Sequence, residues 1–229
     1  MAYDYLGLVN GVLYRVNETP LTSATFASAT GFYADVKQAV NLSIADINTI
    51  DFPWPFNHNT ETETLVVDQV RYDLPADCKY VAWETFRIRG SDTLQTNTTK
   101  LVPMDYEEYL DKWSDVEYRP SRHRGIPTNV FRARGSFEYG VINPPDKAYE
   151  LDYEYYSVPV ALSDYDDVPS IPQIFEHVIH SGAMAYAYMF RGDVELSTAT
   201  MQMFRDQIKN MRIIYVNRTE YVRTTERIR

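Results

Sequence analysis

The sequence predicts an α+β fold: a four-helix bundle of two N-terminal and two C-terminal helices, with a mostly antiparallel β-rich part inserted between them. Three observations predict it. Apolar residues recur every three or four positions at both ends of the 229-residue chain. Pro53 and Pro55 stop the first helical run by removing backbone donors and pushing their neighbours toward extended geometry. Later, Leu151-Asp152-Tyr153-Glu154-Tyr155-Tyr156 alternates acidic and non-acidic side chains with the period of a strand. The expected organisation is a helical bundle from 1–50 and 170–216, a β-rich insert over 51–169, and a C-terminal docking arm over 217–229.

In chain order, Leu6, Val9, Leu13 and Val16 mark a first amphipathic helix that ends before Glu18-Thr19-Pro20. A second covers 31–48, with Val36, Val40, Ile44 and Ile47 as its buried row and Asp35, Lys37 and Asp46 facing away. The corner Asp51-Phe52-Pro53-Trp54-Pro55-Phe56 follows. Strands are expected over 64–70 and 79–88, joined as a hairpin by the turn at Asp73-Leu74-Pro75-Ala76-Asp77. Leu101-Val102-Pro103 reads as extended, and 105–113 as a short helix capped by Asp105. Two strands at 129–134 and 137–142 hinge on Gly135, and another spans 148–158. A Pro- and Asp-rich connection over 159–172 leads to a third helix, 172–190, with Ile174, Val178, Met184 or Ala185, and Tyr188 or Met189 inward. After Arg191-Gly192-Asp193, the fourth helix, 195–215, repeats Met201, Phe204, Ile208, Met211 and Tyr215. It should form an antiparallel hairpin with the third.

A formal charge of -10 argues against gripping nucleic acid through phosphate contacts, which need clustered Lys and Arg. The 19 tyrosines suit surfaces that become half buried at a protein interface. One cysteine, Cys78, closes no intramolecular disulfide, and the opening MAYDYLGLVNG has neither a basic nor an apolar leader region, so folding in the cytosol is expected. The sequons at Asn17, Asn41, Asn97 and Asn217 then read as chance matches.

His177 and His180, with Glu176, have a spacing that puts two metal ligands on one helix face, but no third ligand is assignable and a helix-surface or interface role is the plainer reading. Asp164, Asp166 and Asp167 resemble part of a calcium loop without its Gly and terminal Glu, so a solvated turn is preferred. No nucleophile elbow, phosphate-cradling loop or dinucleotide fingerprint occurs; neither catalytic residue nor cofactor is expected. Charge distribution says more. Arg119, Arg122, Arg124, Arg132 and Arg134 share a span without acids, whereas 146–167 holds seven acids, among them Asp152, Glu154, Asp164, Asp166 and Asp167, against Lys147. They read either as pairs within one sheet or as the basic and acidic edges of a head-to-tail ring. The tail beyond Val216 is either a frayed end or an arm that docks through Tyr221, Val222, Arg223, Arg227 and Arg229.

A set of landmarks runs along nearly the whole chain: Leu8-Val9-Asn10 with Glu18-Thr19-Pro20-Leu21, Val40-Asn41, Trp54-Pro55-Phe56, and Tyr72-Asp73-Leu74-Pro75-Ala76-Asp77. Gly125-Ile126-Pro127, Pro144-Pro145-Asp146 and Asp167-Val168-Pro169-Ser170-Ile171-Pro172 complete it. In this order they resemble the head-to-tail adaptor family of short-tailed bacteriophages, the tail tubular protein A or gatekeeper group. The resemblance implies a dodecameric ring in the virion neck, assembled in the host cytoplasm. Helices would contact the portal protein, the β-rich part would face the tail nozzle or tail tube protein, and the C-terminal segment would clasp the portal. Viral DNA would pass through the lumen without sequence-specific binding. The alternatives are another neck or tail-completion protein, or a glycan-binding or glycan-hydrolysing tail component.

Overall fold

The computed structural model describes residues 2–89, 98–118, 123–133 and 137–225, with the backbone alone for 217–225. The first elements are α1 (Tyr5–Arg15), α2 (Ser23–Phe26), α3 (Phe32–Thr49), β1 (His58–Thr64), β2 (Arg71–Asp73) and β3 (Cys78–Val81). Next come β4 (Arg87–Arg89), β5 (Thr98–Lys100), β6 (Val102–Met104), α4 (Tyr106–Trp113), β7 (Asn129–Arg132) and β8 (Glu138–Ile142). The chain ends with β9 (Glu150–Ser157), α5 (Glu176–Phe190) and α6 (Val194–Thr225). The fold is therefore mixed α and β, with six helices among the described residues. By contacts it divides into two compact units, Met1–Phe52 with Pro159–Arg229, and Pro53–Val158.

In the helical unit α5 is the central element and packs on α1, α3 and α6. Small residues make this possible. A Cβ on Gly182 would lie 2.3 Å from Ser43 Oγ and 2.8 Å from the Phe204 ring. The close approach lets the Ser43 hydroxyl of α3 donate to the Ile179 carbonyl of α5 at 3.0 Å. Val36, Val40, Ile44 and Ile47 are all buried, as are Phe204, Ile208 and Met211 of α6. On α1 the buried stripe is Tyr5, Leu8, Val9, Val12 and Leu13, with Leu6 and Val16 at its margin, so the expected stripe was turned about the helix axis. Ile174 is also displaced. It lies in a 3-10 turn, Gln173–Phe175, whose tighter winding leaves it 75% exposed. Residues 159–170 are bound to this unit: Asn41 holds both backbone groups of Leu162, and the Tyr5 and Leu6 amides donate to the Asp167 and Tyr165 carbonyls.

The β unit has two sheets. One is antiparallel and centres on β9, with β1 on one side and, end to end on the other, β4 and β3; β5 extends it beyond β4. The second runs β2-β8-β7-β6, antiparallel except for the parallel pair β6 and β7. Successive side chains of β7 serve opposite faces: Val130 joins the aromatic core with Tyr72, Phe86, Tyr139 and Tyr153, while Phe131 stacks on Tyr109 of α4 with ring centroids 3.8 Å apart. Asp105 caps α4 as expected, its carboxylate accepting from the Tyr106 amide.

Three strand expectations are corrected. Residues 65–70 are irregular, and the strand lies earlier, at β1. The 79–88 strand is split by a 3-10 turn, Trp83–Thr85, closed by Thr85 Oγ1 donating to the Ala82 carbonyl at 2.6 Å. The hairpin does not form, because β2 pairs with β8 and β3 with β9, so the Leu74-Pro75 corner carries the chain from one sheet to the other.

Candidate functional site

Arg119, Arg122, Arg134, Arg227 and Arg229 lie outside the described residues. Tyr221, Val222 and Arg223 fall on the last turns of α6, which continues as helix past the expected end at Tyr215. Arg124 forms a two-pronged ion pair with Asp68. Arg132 is exposed on β7. The acidic residues are divided between the two units, and those of β9 have local partners: Asp152 meets Arg89 Nε at 2.5 Å and Thr62 Oγ1 at 2.7 Å, and Glu154 meets His58 Nε2 at 3.2 Å. The structure thus gives Asp152 and Glu154 cross-strand contacts within the sheet.

The loop acids behave differently. Asp167 accepts the amides of Ser163 and Asp164 at 2.7 and 2.8 Å, and these bonds hold its carboxyl below the usual range. It organises the turn, and Asp164, Tyr165 and Asp166 project from it, all exposed.

His177 is exposed, but His180 is 4% exposed and faces α1, where a Cβ on Gly11 would meet its Nε2 at 2.3 Å. Burial, with Arg15 nearby, lowers its pKa to about 4, so it is neutral at pH 7. Nε2 has no hydrogen-bond partner, and the Glu176 carboxylate is 3.9 Å away. The expected surface histidine is a core one, made possible by the glycine opposite. Among the described residues no group of three or more His, Cys, Asp or Glu is placed to hold a metal ion, and no helix is long and apolar enough to cross a membrane.

Two features were missed in the sequence. The first is a second apolar row on α6, Leu196, Met203 and Ile214, exposed beside the buried row; their spacings of seven and eleven are helical and offered a signal. The second is a pocket of about 280 Å³ in the β unit, lined by Leu74, Cys78, Val81, Trp83, Arg132 and Phe137 among others. Those residues come from the β2–β3 corner, β3, the β3–β4 turn, the end of β7 and the residue just before β8, which only the sheet topology brings together. Burial pushes the Cys78 thiol up to about 11, so it is a poor nucleophile.

The described surface thus carries an exposed apolar row on α6, a pocket whose lining holds Lys79, Arg132 and Glu138, and an exposed acidic turn. No curated protein matches the chain. Residues 3–228 match the family model described as SU10 adaptor protein. With nearly its whole length matched, the chain belongs to the SU10 adaptor protein family, a phage head-to-tail adaptor family.

Proposed function

We propose that this adaptor is a structural virion protein that assembles into a closed ring, dodecameric as the resemblance implies, between the portal protein and the tail nozzle or tail tube protein. The family match over 3–228 carries this reading. The four long helices act as a bundle toward the portal, the β unit faces the tail, and the segment 217–229 docks on the portal through Tyr221, Val222 and the neighbouring arginines. The charge of -10 supports a lumen that repels DNA and favours its transit over adhesion. The role is structural and not catalytic. It is consistent with a buried, thiol-form Cys78 and with the exposed apolar row Leu196, Met203 and Ile214 on α6.

Mass measurement of the protein mixed with portal tests the assembly. A complex of defined stoichiometry is expected, and a chain that stays single beside every neck component would sink the reading. Deleting 217–229 should leave the fold intact and weaken portal attachment; undiminished attachment would remove the arm from it.

A further inference from the structure

The β-unit pocket combines features that core packing does not require. At about 280 Å³ it lies just below the size range of small-molecule sites, about 300–1,000 Å³, and suits a single large side chain. Its lining combines the buried Cys78 and Val81, the apolar side chains of Leu74 and Trp83, and the exposed Phe137. Phe137 is 58% exposed yet is held at φ 63, a left-handed conformation that bulky residues rarely adopt. Its carbonyl accepts from the Leu74 amide at 2.7 Å, which pins the strained residue against the β2–β3 corner. An aromatic ring kept in water at a conformational cost points to a partner. Arg132 and Lys79 bring positive charge to the same lining, and Glu138, also there, is 3.8 Å from Arg71 Nη1.

The chain carries a matching knob. Tyr165 is 44% exposed at the tip of the loop that Asp167 organises, between the exposed Asp164 and Asp166. The Leu6 amide donates to the Tyr165 carbonyl at 2.9 Å, fixing the backbone and leaving the ring outside. Little entropy would be lost on docking such a preformed turn.

We propose that the pocket receives Tyr165 of a second copy of this chain, with Asp164 and Asp166 of that copy against Arg132. This rests on the self-association read above and names its interface: a heterologous contact in which the helical unit of one copy offers the knob and the β unit of another offers the pocket. It narrows the charge argument to Arg132 on the basic side and to Asp164 and Asp166 on the acidic side.

The test places a photo-reactive benzoylphenylalanine at position 165 in a mixture of isotopically light and heavy protein, held at concentrations where light scattering shows association or incorporated with portal into necks. Illumination should join position 165 to the peptides around Leu74, Trp83 or Phe137 of another copy, seen as mixed light–heavy products. Arg132→Glu and Asp166→Arg should each weaken self-association about tenfold, and the two together should restore much of it. Tyr165→Phe should associate like the parent and Tyr165→Ser should not, with all variants melting alike. Oligomers that tolerate every variant, or products joined elsewhere or within one chain, overturn this interface and leave self-association standing. A protein that never associates, alone or with portal, overturns both.

Discussion

The two units solve the packing problem in opposite ways. The helical unit brings backbones together through small residues, Ser181, Gly182, Ala183, Ala185 and Ala187 along α5, and fills the remaining space mostly with aliphatic side chains, with separate rings such as Phe26 and Phe204 among them. The β unit fills its core with rings: Phe86 lies parallel to Tyr153 at 4.7 Å and against Tyr139 at 5.3 Å. Its tyrosine hydroxyls then need acceptors, and the Tyr139 O–H donates to Glu63 at 2.6 Å. The first design tolerates no added volume and no lost volume. The second depends on polar partners at the core margin, and so responds to protonation differently.

The largest expected effect is in the helical unit. Phe204→Ala removes a ring packed between α5 and α6 and should cost about 3–5 kcal/mol, read as a shift in denaturant midpoint. A loss under about 1 kcal/mol would show that the small-residue interface can collapse, against the comparison. Acid comes next. The folded-state pKa of His180, about 4, lies below the ordinary 6.5, so its contribution is complete above about 6.5 and is lost as pH falls toward 4. The loss is on the order of 3 kcal/mol. For Glu63, burial raises the carboxyl above its ordinary value despite the Tyr139 bond, so lowering the pH through that window adds stability to the β unit. Acid titration followed by hydrogen exchange should therefore loosen α1 and α5 before β1 and β8, and His180→Gln should flatten the helical response.

A smaller effect is expected from Tyr139→Phe, which leaves Glu63 without its donor and should cost about 1–2 kcal/mol at neutral pH; because that bond holds the raised carboxyl down, its loss should steepen the Glu63 part of the pH profile. Smallest is Arg89→Ala. Both partners of its pair with Asp152 reach solvent, Arg89 more so, and the loss should stay under about 1 kcal/mol and shrink further in salt. A large effect there would mean that the β unit relies on its surface charge as much as on its rings.

Helices α3 and α6 were legible because each buries one stripe: Val36, Val40, Ile44 and Ile47 of the expected row are buried on α3, and Phe204, Ile208 and Met211 on α6, with the expected Met201 and Tyr215 half-buried at its margin. Strand β1 was not. Its sequence, His58-Asn59-Thr60-Glu61-Thr62-Glu63-Thr64, has no apolar alternation, since as an edge strand it is bound by the β9 ladder and by polar contacts such as Asn59 Nδ2 to Ser157 Oγ at 2.8 Å. Strand propensity cannot show which sheet a segment joins, and so the corner at Pro75 read as a hairpin. The pocket was illegible for the same reason: Leu74, Trp83 and Phe137 become neighbours only after two sheets have formed. The acidic loop was visible as composition, but the division of labour between Asp167, spent on the turn, and Asp164 and Asp166, left outside, required hydrogen-bond geometry.

Strand β9 meets β1 along one edge and β4 and β3 along the other, and just beyond its end at Ser157 the chain leaves for the helices. Ladder bonds run across the strand, so a pull along β9 loads every one of them in shear, and they must fail together, not one after another as in an unzipping hairpin. The connection to the helices is thereby anchored in the strand that carries the longest ladder of the sheet. Tension applied to either end of this polypeptide should stretch its loops well before it draws that strand out.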